Sequence, residues 1–446
     1  MAVVEDSYKE GPLAMADGIG LAEKLLGLAG VMVTDVVERP GEVVVHVETT
    51  KRRAYCPSCR RRAEAQDRVD VDLRDLHCFG RPCRLVVRKR RWRCTTKGCV
   101  KRTWTERIDG VVARQVLTLR CGAEVTRQVG QLCRSVASVS DEYGVTWNTL
   151  WKSVTFHGHP LVDDPRRVGP VRALGVDEHS YLSAKPTHPT IYATTLVDLD
   201  RRRIVDLFEG KSAAKLRRWT AGRSGRWRRE VRVVALDLTD TYRAGLHPHL
   251  SHATRVADPF HVIRVGNRMV DQIRRRVQNE TLGHRGRKHD PLFRVRKLLL
   301  KGEEGLDDRG RERLLAGLRV GDPHDELLGG WIAKEAARAV YGEDDPEVAA
   351  MLLDNLIAAC ATDEVPEIRT FGRTLGRWRQ EILNHHRTGA SNGPTEGLNF
   401  CAKQVKRAGR GFVNFNHYRL RVLLHAGGVT WPTPIQPPKI RSGAPH

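Results

Sequence analysis

The chain has 446 residues, a length that at roughly 100–200 residues per domain predicts several domains. Lysine plus arginine number 76 against 53 acidic residues, a formal charge of +23, so the composition points to a polyanionic partner, nucleic acid first. With 40% hydrophobic and 29% charged residues, a wholly disordered basic chain is excluded. No run of about eighteen apolar residues offers a membrane span, and the start carries Glu5, Asp6 and Glu10 where a secretory signal needs an apolar core. The expectation is a cytoplasmic protein whose ten cysteines are reduced.

In chain order, residues 1–50 read as a lead-in. An apolar stretch from Leu21 to Val37 gives a short helix, and the alternation from Val43 to Val47 gives a strand. Residues 51–110 read as a basic, β-like module with a strand over Arg84–Arg88. Between Arg81 and Arg107 it has eleven lysines or arginines against the single acid Glu106. Residues 111–160 read as helical pieces, and a boundary falls near Asp163, Asp164 and Pro165.

Beyond it, Arg172–Asp177, Thr190–Val197, Arg203–Phe208, Val231–Asp237 and Thr254–Ala257 read as strands, with a helix at Lys211–Trp219. The pattern predicts an α/β sheet over residues 170–262. Residues 263–390 are helical and charge-rich with no strand pattern, which predicts a helical insertion; the sheet's own elements resume over 391–428. Residues 429–446, with Pro432, Pro434, Pro437 and Pro438, read as a disordered tail.

Three constellations carry chemistry. Cys56 and Cys59, in Cys-Pro-Ser-Cys, pair with Cys94 and Cys99 across the basic strand, the spacing of a zinc ribbon or knuckle in which four thiolates close a tetrahedral site around Zn²⁺. His77, Cys78 and Cys83 are rival ligands, and ordinary buried cysteines would give the same pairs. The segment Ser138–Trp151 has the helix-turn-helix pattern: Gly144 permits the turn, Val145 packs between helices, and Thr146 caps a second helix whose Trp147, Asn148 and Lys152 are DNA-binding candidates. A plain helical hairpin fits the same residues.

The third constellation is acidic. Asp177 and Asp237 each end a buried apolar run, where an unpaired carboxylate is costly and calls for a cation. Glu396 falls in the first turn of a helix opened by Pro394. If that helix runs through Lys406, then Glu396, Asn399, Phe400, Lys403 and Arg407 share one face, with Lys403 and Arg407 able to reach DNA phosphates. Against this, Asp237 followed by Thr239 and Asp240 fits a simple helix cap, and spaced cations usually line a solvated face.

Leu174–Glu178, Val234–Leu238 with Tyr242 and Arg243, Ala257–His261, Arg274–Arg276, Gly283–Lys288, Ser391–Asn399, Lys406–Phe412 and Tyr418–Arg421 together resemble, in order, the transposases of the ISL-three insertion-sequence family. The resemblance covers the chain from the cysteine module to about Leu424. It implies a multidomain protein: a zinc-binding, helix-turn-helix amino-terminal half that binds the element's terminal repeats, then an α/β RNase H-like catalytic domain interrupted by the α-helical insertion. It implies that Asp177, Asp237 and Glu396 form a D-D-E site for Mg²⁺ or Mn²⁺, with Asp258 and His261 near it. It further implies strand cleavage and strand transfer on DNA at the prokaryotic nucleoid, and a homo-oligomer assembled on the ends. Cys78 and Cys83 depart from the family's pattern. Other readings of the same residues are a zinc and helix-turn-helix regulator, an RNase H-like nuclease without strand transfer, and a domesticated, inactive derivative.

Overall fold

The computed structural model describes residues 18–432; the acidic start and most of the proline-rich tail lie outside them. The chain divides into two compact units, one reaching to Asp163 and one spanning Asp164–Val429.

In the first unit, helix α1 (Gly18–Leu26) leads to strands β1 (Val31–Arg39), β2 (Glu42–Thr49), β3 (Glu64–Cys78), β4 (Arg81–Arg93) and β5 (Thr103–Thr105). The sheet order is β1-β2-β4-β3, with β5 pairing β4. β2 runs parallel to β4 from Val43↔Cys83 to Glu48↔Arg88, so the division drawn at residue 50 falls within a single sheet. The reason is burial: Val43, Val45 and Val47 need a partner face and find it with Leu73, Leu85 and Val87.

β3 is a fifteen-residue strand that the apolar pattern does not announce. Charge supports it, because Arg84–Asp72 at 2.9 Å, Arg93–Glu64 at 3.2 Å, Arg88–Asp70 at 3.7 Å and Arg91–Asp67 tie it to β4. Much of the positive charge of β4 is therefore answered by its neighbour. Helices α2 (Leu119–Gly130), α3 (Val136–Glu142) and α4 (Trp147–Val162) complete the unit. Buried Asp75 on β3 anchors α2, accepting from Thr118 Oγ1 at 2.6 Å and from Arg120 Nε at 2.8 Å.

The second unit opens with a one-turn helix α5 (Pro165–Val168), then β6 (Ala173–Leu182), β7 (Ile191–Asp198), β8 (Arg203–Glu209), α6 (Ala213–Ala221), α7 (Gly225–Glu230), β9 (Val233–Leu236), α8 (Asp240–Leu250) and β10 (Thr254–Ala257). The sheet order is β10-β9-β6-β7-β8; β6, β7 and β8 are antiparallel, while β9 and β10 run parallel to β6. Val176, Leu196, Val234, Leu236 and Tyr242 are fully buried in its core.

Seven α-helices and one short 3-10 helix (Glu303–Gly305) follow without a strand among them: α9 (Pro259–Leu282), α10 (Pro291–Val295), α11 (Asp308–Gly321), α12 (Glu326–Gly342), α13 (Pro346–Thr362), α14 (Pro366–Arg377) and α15 (Arg379–Thr388). α9 begins before residue 263, so the helical region grows directly out of the sheet's last strand. α16 (Gly393–Ala408) packs on β6 and β7, and α17 (Phe415–Ala426) packs on β8. Among the described residues no helix is long and apolar enough to cross a membrane.

Candidate active site and cysteine cluster

The parallel register of β6 and β9 runs from Ala173↔Val233 to Val176↔Leu236, so the next residue on each strand is an aspartate, Asp177 and Asp237. Two neighbouring strands thus present carboxylates side by side. Asp177 does not end its strand, because β6 continues to Leu182 against β7 after the pairing with β9 stops. Asp237 is not the cap of the next helix either; α8 has Thr239 at that position, and Asp237 Oδ1 accepts from Leu238 N at 2.6 Å.

Asp258 caps α9, its side chain accepting from His261 N, and this turn aims the His261 ring at the aspartates. His261 Nδ1 lies 2.8 Å from Asp237 Oδ1, and Nε2 lies 3.7 Å from Asp177 Oδ1. Burial pushes the Asp177 carboxyl up to about 6, against the pull of His261 and of the Glu178 backbone N–H, with the charges of Glu178 and Asp237 adding to the rise. Burial presses Asp237 upward too, but the hydrogen bond and charge of His261 outweigh it and hold the group below its ordinary value. His261 is correspondingly raised: burial opposes its charge, and Asp237, Asp177 and Asp258 overcome that opposition.

Glu396 arrives from α16. Pro394 occupies the first turn of that helix and Glu396 follows it, as the sequence predicts. Asn392, fully buried, seats the helix start: its backbone N donates to Asp258 Oδ1 at 2.7 Å, its Nδ2 donates to Val176 O at 3.2 Å, and its Oδ1 accepts from Thr395 Oγ1 at 2.5 Å. Gly175 makes this approach possible, because a Cβ there would stand 2.5 Å from Thr395 Oγ1 and 2.7 Å from Asn392 Oδ1.

The result is two carboxylate groups sharing one imidazole. Asp177 and Asp237 cluster with His261, and Asp258 and Glu396 cluster with the same His261, each set having ligand atoms within 4.8 Å of one another. Burial and the nearby Asp258 raise the Glu396 carboxyl, while His261, Lys403 and Arg264 pull it back.

Comparison with known proteins decides what this arrangement belongs to. A family model described as a transposase, that of the ISL-three group, matches residues 174–422, more than half of the chain. The chain belongs to the ISL-three family of transposases. It is 23% identical over 414 residues to the transposase for insertion sequence element IS1001 of Bordetella parapertussis, covering 90% of this chain and 97% of that one. It is 26% identical over 307 residues to the transposase for insertion sequence element IS1557 of Mycobacterium tuberculosis, covering 62% of this chain and 65% of that one. Among solved structures it is similar to the Drosophila P element transposase strand transfer complex, at 10% identity and a TM-score of 0.37, over 70% of this chain and 92% of that chain.

In the first unit of this transposase, Cys56, Cys59, Cys94 and Cys99 come together, all four Sγ atoms within 4.8 Å of one another. Cys56 and Cys99 are 3.7 Å apart and Cys59 and Cys94 3.6 Å. Four thiolates about 2.3 Å from one Zn²⁺ would be ~3.8 Å apart at the edges of a tetrahedron, so the donors fit that ion. A backbone hydrogen bond from Arg61, helped by Thr96, pulls the Cys59 thiol down to about 6, toward the thiolate a metal requires. Cys78 and Cys83 stand outside the cluster, and burial beside Cys78 pushes Cys83 up to about 12.

In the Ser138–Trp151 segment, α3 ends before Gly144 and α4 starts after Thr146. Gly144 adopts a φ of +60°, and Thr146 caps α4 by accepting from Thr149 N at 3.2 Å. Asn148 and Lys152 are exposed on α4, and Trp147 is half exposed with its ring stacked 5.8 Å from Trp151.

On α16, Phe400, Lys403 and Arg407 are exposed, but Asn399 turns inward and is buried, so the single face drawn from spacing is divided. Asn399 Nδ2 donates to Asp177 Oδ2 at 2.8 Å, a contact that sequence spacing does not expose. Asn392 and Gly175 were likewise missed as seating residues; the visible signal was only the Ser391-Asn392-Gly393-Pro394 punctuation and the glycine two residues before Asp177.

Proposed function

We propose that this transposase cuts and joins DNA with Asp177, Asp237 and Glu396 as its D-D-E acids, holding Mg²⁺ or Mn²⁺. The observation that carries the reading is the strand register that sets Asp177 beside Asp237, with α16 seated on β6 so that Glu396 joins them around His261. The donors suit hard cations, and burial, which raises the Asp177 carboxyl to about 6, makes its charge costly without a cation beside it. When bound, the cations supply charge neutralisation at the entering and leaving oxygens of the scissile phosphodiester. A sheet with three antiparallel strands followed by two parallel ones supports an RNase H-like core over residues 170–262 and 391–428, with 263–390 as its insertion.

The chain's own residues divide the remaining work. His261, bonded to Asp237, orients that carboxylate and is not itself a metal ligand, since hard cations prefer oxygen. Lys403 and Arg407 hold phosphates flanking the scissile bond. Water attack leaves a 3′-hydroxyl at the element end and a 5′-phosphate on the other strand segment. That hydroxyl then attacks a target phosphodiester, one P–O bond forming as another breaks. The cysteine cluster over 51–110 binds Zn²⁺, and the helix-turn-helix over 111–160 reads the terminal repeats through Trp147, Asn148 and Lys152. Copies of the chain assemble on paired ends in the bacterial cytoplasm.

The test uses the full chain and DNA flanking its own reading frame. Mg²⁺-dependent cleavage at inverted repeats, with a joined product, is expected. Asp177→Asn, Asp237→Asn and Glu396→Gln should each abolish both. Cleavage without joining would replace this reading with a nuclease, and binding without cleavage with a regulator.

A further inference from the structure

Behind Asp177 lies a buried polar chain that none of the proposed chemistry uses. Asp177 and Thr195 face each other across β6 and β7, and His179 lies two residues further along β6 on the same face. Into that face α16 inserts Asn399. Its Nδ2 donates to Asp177 Oδ2 at 2.8 Å, while its Oδ1 accepts from Thr195 Oγ1 at 3.0 Å and meets His179 Nδ1 at 3.1 Å. The far ring nitrogen of His179 stands 2.7 Å from Tyr418 Oη on α17, and the single hydrogen of that hydroxyl has Ala402 O, at 3.2 Å, as its longer alternative acceptor. Thr195, His179, Asn399 and Tyr418 are all buried, none more than 5% exposed.

Such a chain is costly unless each member is satisfied, and here the amide of Asn399 can serve in one orientation only. A carboxylate accepts and does not donate, so the NH₂ end must face Asp177; the carbonyl end then accepts from Thr195 and from the Nδ1–H tautomer of His179, whose Nε2 in turn accepts from Tyr418 Oη. With Oδ2 held from behind, Asp177 turns Oδ1 toward His261 and Asp237.

We propose that Asn399 is a positioning residue that fixes the rotation of Asp177, so that one carboxylate oxygen faces the cation site, and that His179 and Tyr418 hold Asn399 in that orientation. The inference rests on the reading of Asp177 as a metal ligand. It also explains why one helix carries both residues: Glu396 and Asn399 lie one turn apart on α16, so the seating that delivers the third acid locks the first.

The experiment measures Mn²⁺ binding to the full-length protein directly, by the loss of the free-ion signal in electron paramagnetic resonance, alongside thermal melting in EDTA. Loss of an outer partner of a metal ligand weakens affinity by about 10–100-fold. Asn399→Ala should weaken Mn²⁺ binding about tenfold, and in cleavage assays it should raise the Mg²⁺ concentration for half-maximal rate similarly while leaving the rate at saturating Mg²⁺ within a few-fold of wild type. If Asn399→Ala melts early, Tyr418→Phe, which removes only the hydroxyl at the far end, is measured in the same way and should weaken binding about twofold. Wild-type Mn²⁺ affinity in whichever of these folds would overturn the proposal. Asp177→Asn serves as the reference: if it binds Mn²⁺ as wild type does, the metal-ligand reading itself fails, whereas weakened binding in Asp177→Asn with full binding in Asn399→Ala overturns only the positioning role.

Discussion

Buried His261 and half-buried Asp237 form a pair, Nδ1 to Oδ1 at 2.8 Å, that holds a ring between two aspartates from neighbouring strands. The pair does two jobs. It fixes the Asp237 carboxylate, and the surrounding Asp237, Asp177 and Asp258 favour the protonated ring against the opposition of burial. Removing the buried member of such a pair strands the carboxylates that remain, at a cost of up to about 3 kcal/mol. His261→Ala should therefore melt several degrees below wild type in EDTA, and added Mg²⁺ should narrow that gap as the cation takes over the compensation. Differential scanning calorimetry with and without metal checks this; a gap that Mg²⁺ leaves unchanged would separate the histidine from the cation site.

Gly175 is the second sensitive point. Any side chain there meets Thr395 and Asn392, both wholly buried, so the start of α16 must shift to admit even a methyl group. Overpacking of this kind costs about 1–3 kcal/mol. The larger effect should be on catalysis, because a displacement near 1 Å at a reacting group can cost about 100-fold in rate. Gly175→Ala should accordingly lose cleavage far beyond its loss of stability, with DNA affinity kept. Equal, small losses in both would mean that α16 tolerates the move.

How much of this was legible in the sequence depends on what kind of signal each element carries. Asp177 and Asp237 stand out because each follows an apolar run, and burial of such a run makes a terminal acid conspicuous. Glu396 stands out because Pro394 announces a helix start. β3 was invisible, since its alternation is of aspartate and arginine and its partner charges lie on β4, a pairing no local pattern records. Spacing puts Asn399 on one face with Glu396, Phe400, Lys403 and Arg407, because it gives a helix's angular order but not which edge of it meets the sheet. The hydrogen bonds to Asp177 and Thr195 decide that. His179 lay hidden within a strand, where one polar residue among buried neighbours gives no sign of its partners.

The cysteine cluster gives a sharper test. Its Sγ separations of 3.6 and 3.7 Å already suit a tetrahedral ion, so Zn²⁺ should occupy it at about one per chain. Cys56→Ser, Cys59→Ser, Cys94→Ser and Cys99→Ser should each empty the site. Cys78→Ser and Cys83→Ser should keep it full, since those thiols lie outside the cluster. Because binding energy in small metal modules is largely folding energy, the four emptied variants should also lose DNA binding while the α/β unit keeps its melting transition. Full zinc in Cys94→Ser would redraw the ligand set.

The last prediction concerns the exposed edge of α16. Lys403 and Arg407 are four residues apart and therefore stand on the same side of the helix, about two and three turns beyond Glu396. Neither is engaged by a carboxylate within 4.0 Å among the described residues, so their charge is available to a polyanion. Each phosphate contact on duplex DNA contributes about 0.9 to the slope of log affinity against log salt. Lys403→Ala with Arg407→Ala should weaken binding to end DNA and flatten that slope by about 2, measured by fluorescence anisotropy across a salt series. Glu396→Gln should behave in the opposite way. It removes a negative charge from the path of the phosphate, so DNA binding should hold or tighten while cleavage disappears. An unchanged salt slope in the double variant would mean that this edge faces solvent, and cleavage by Glu396→Gln at the wild-type rate would remove the glutamate from the site.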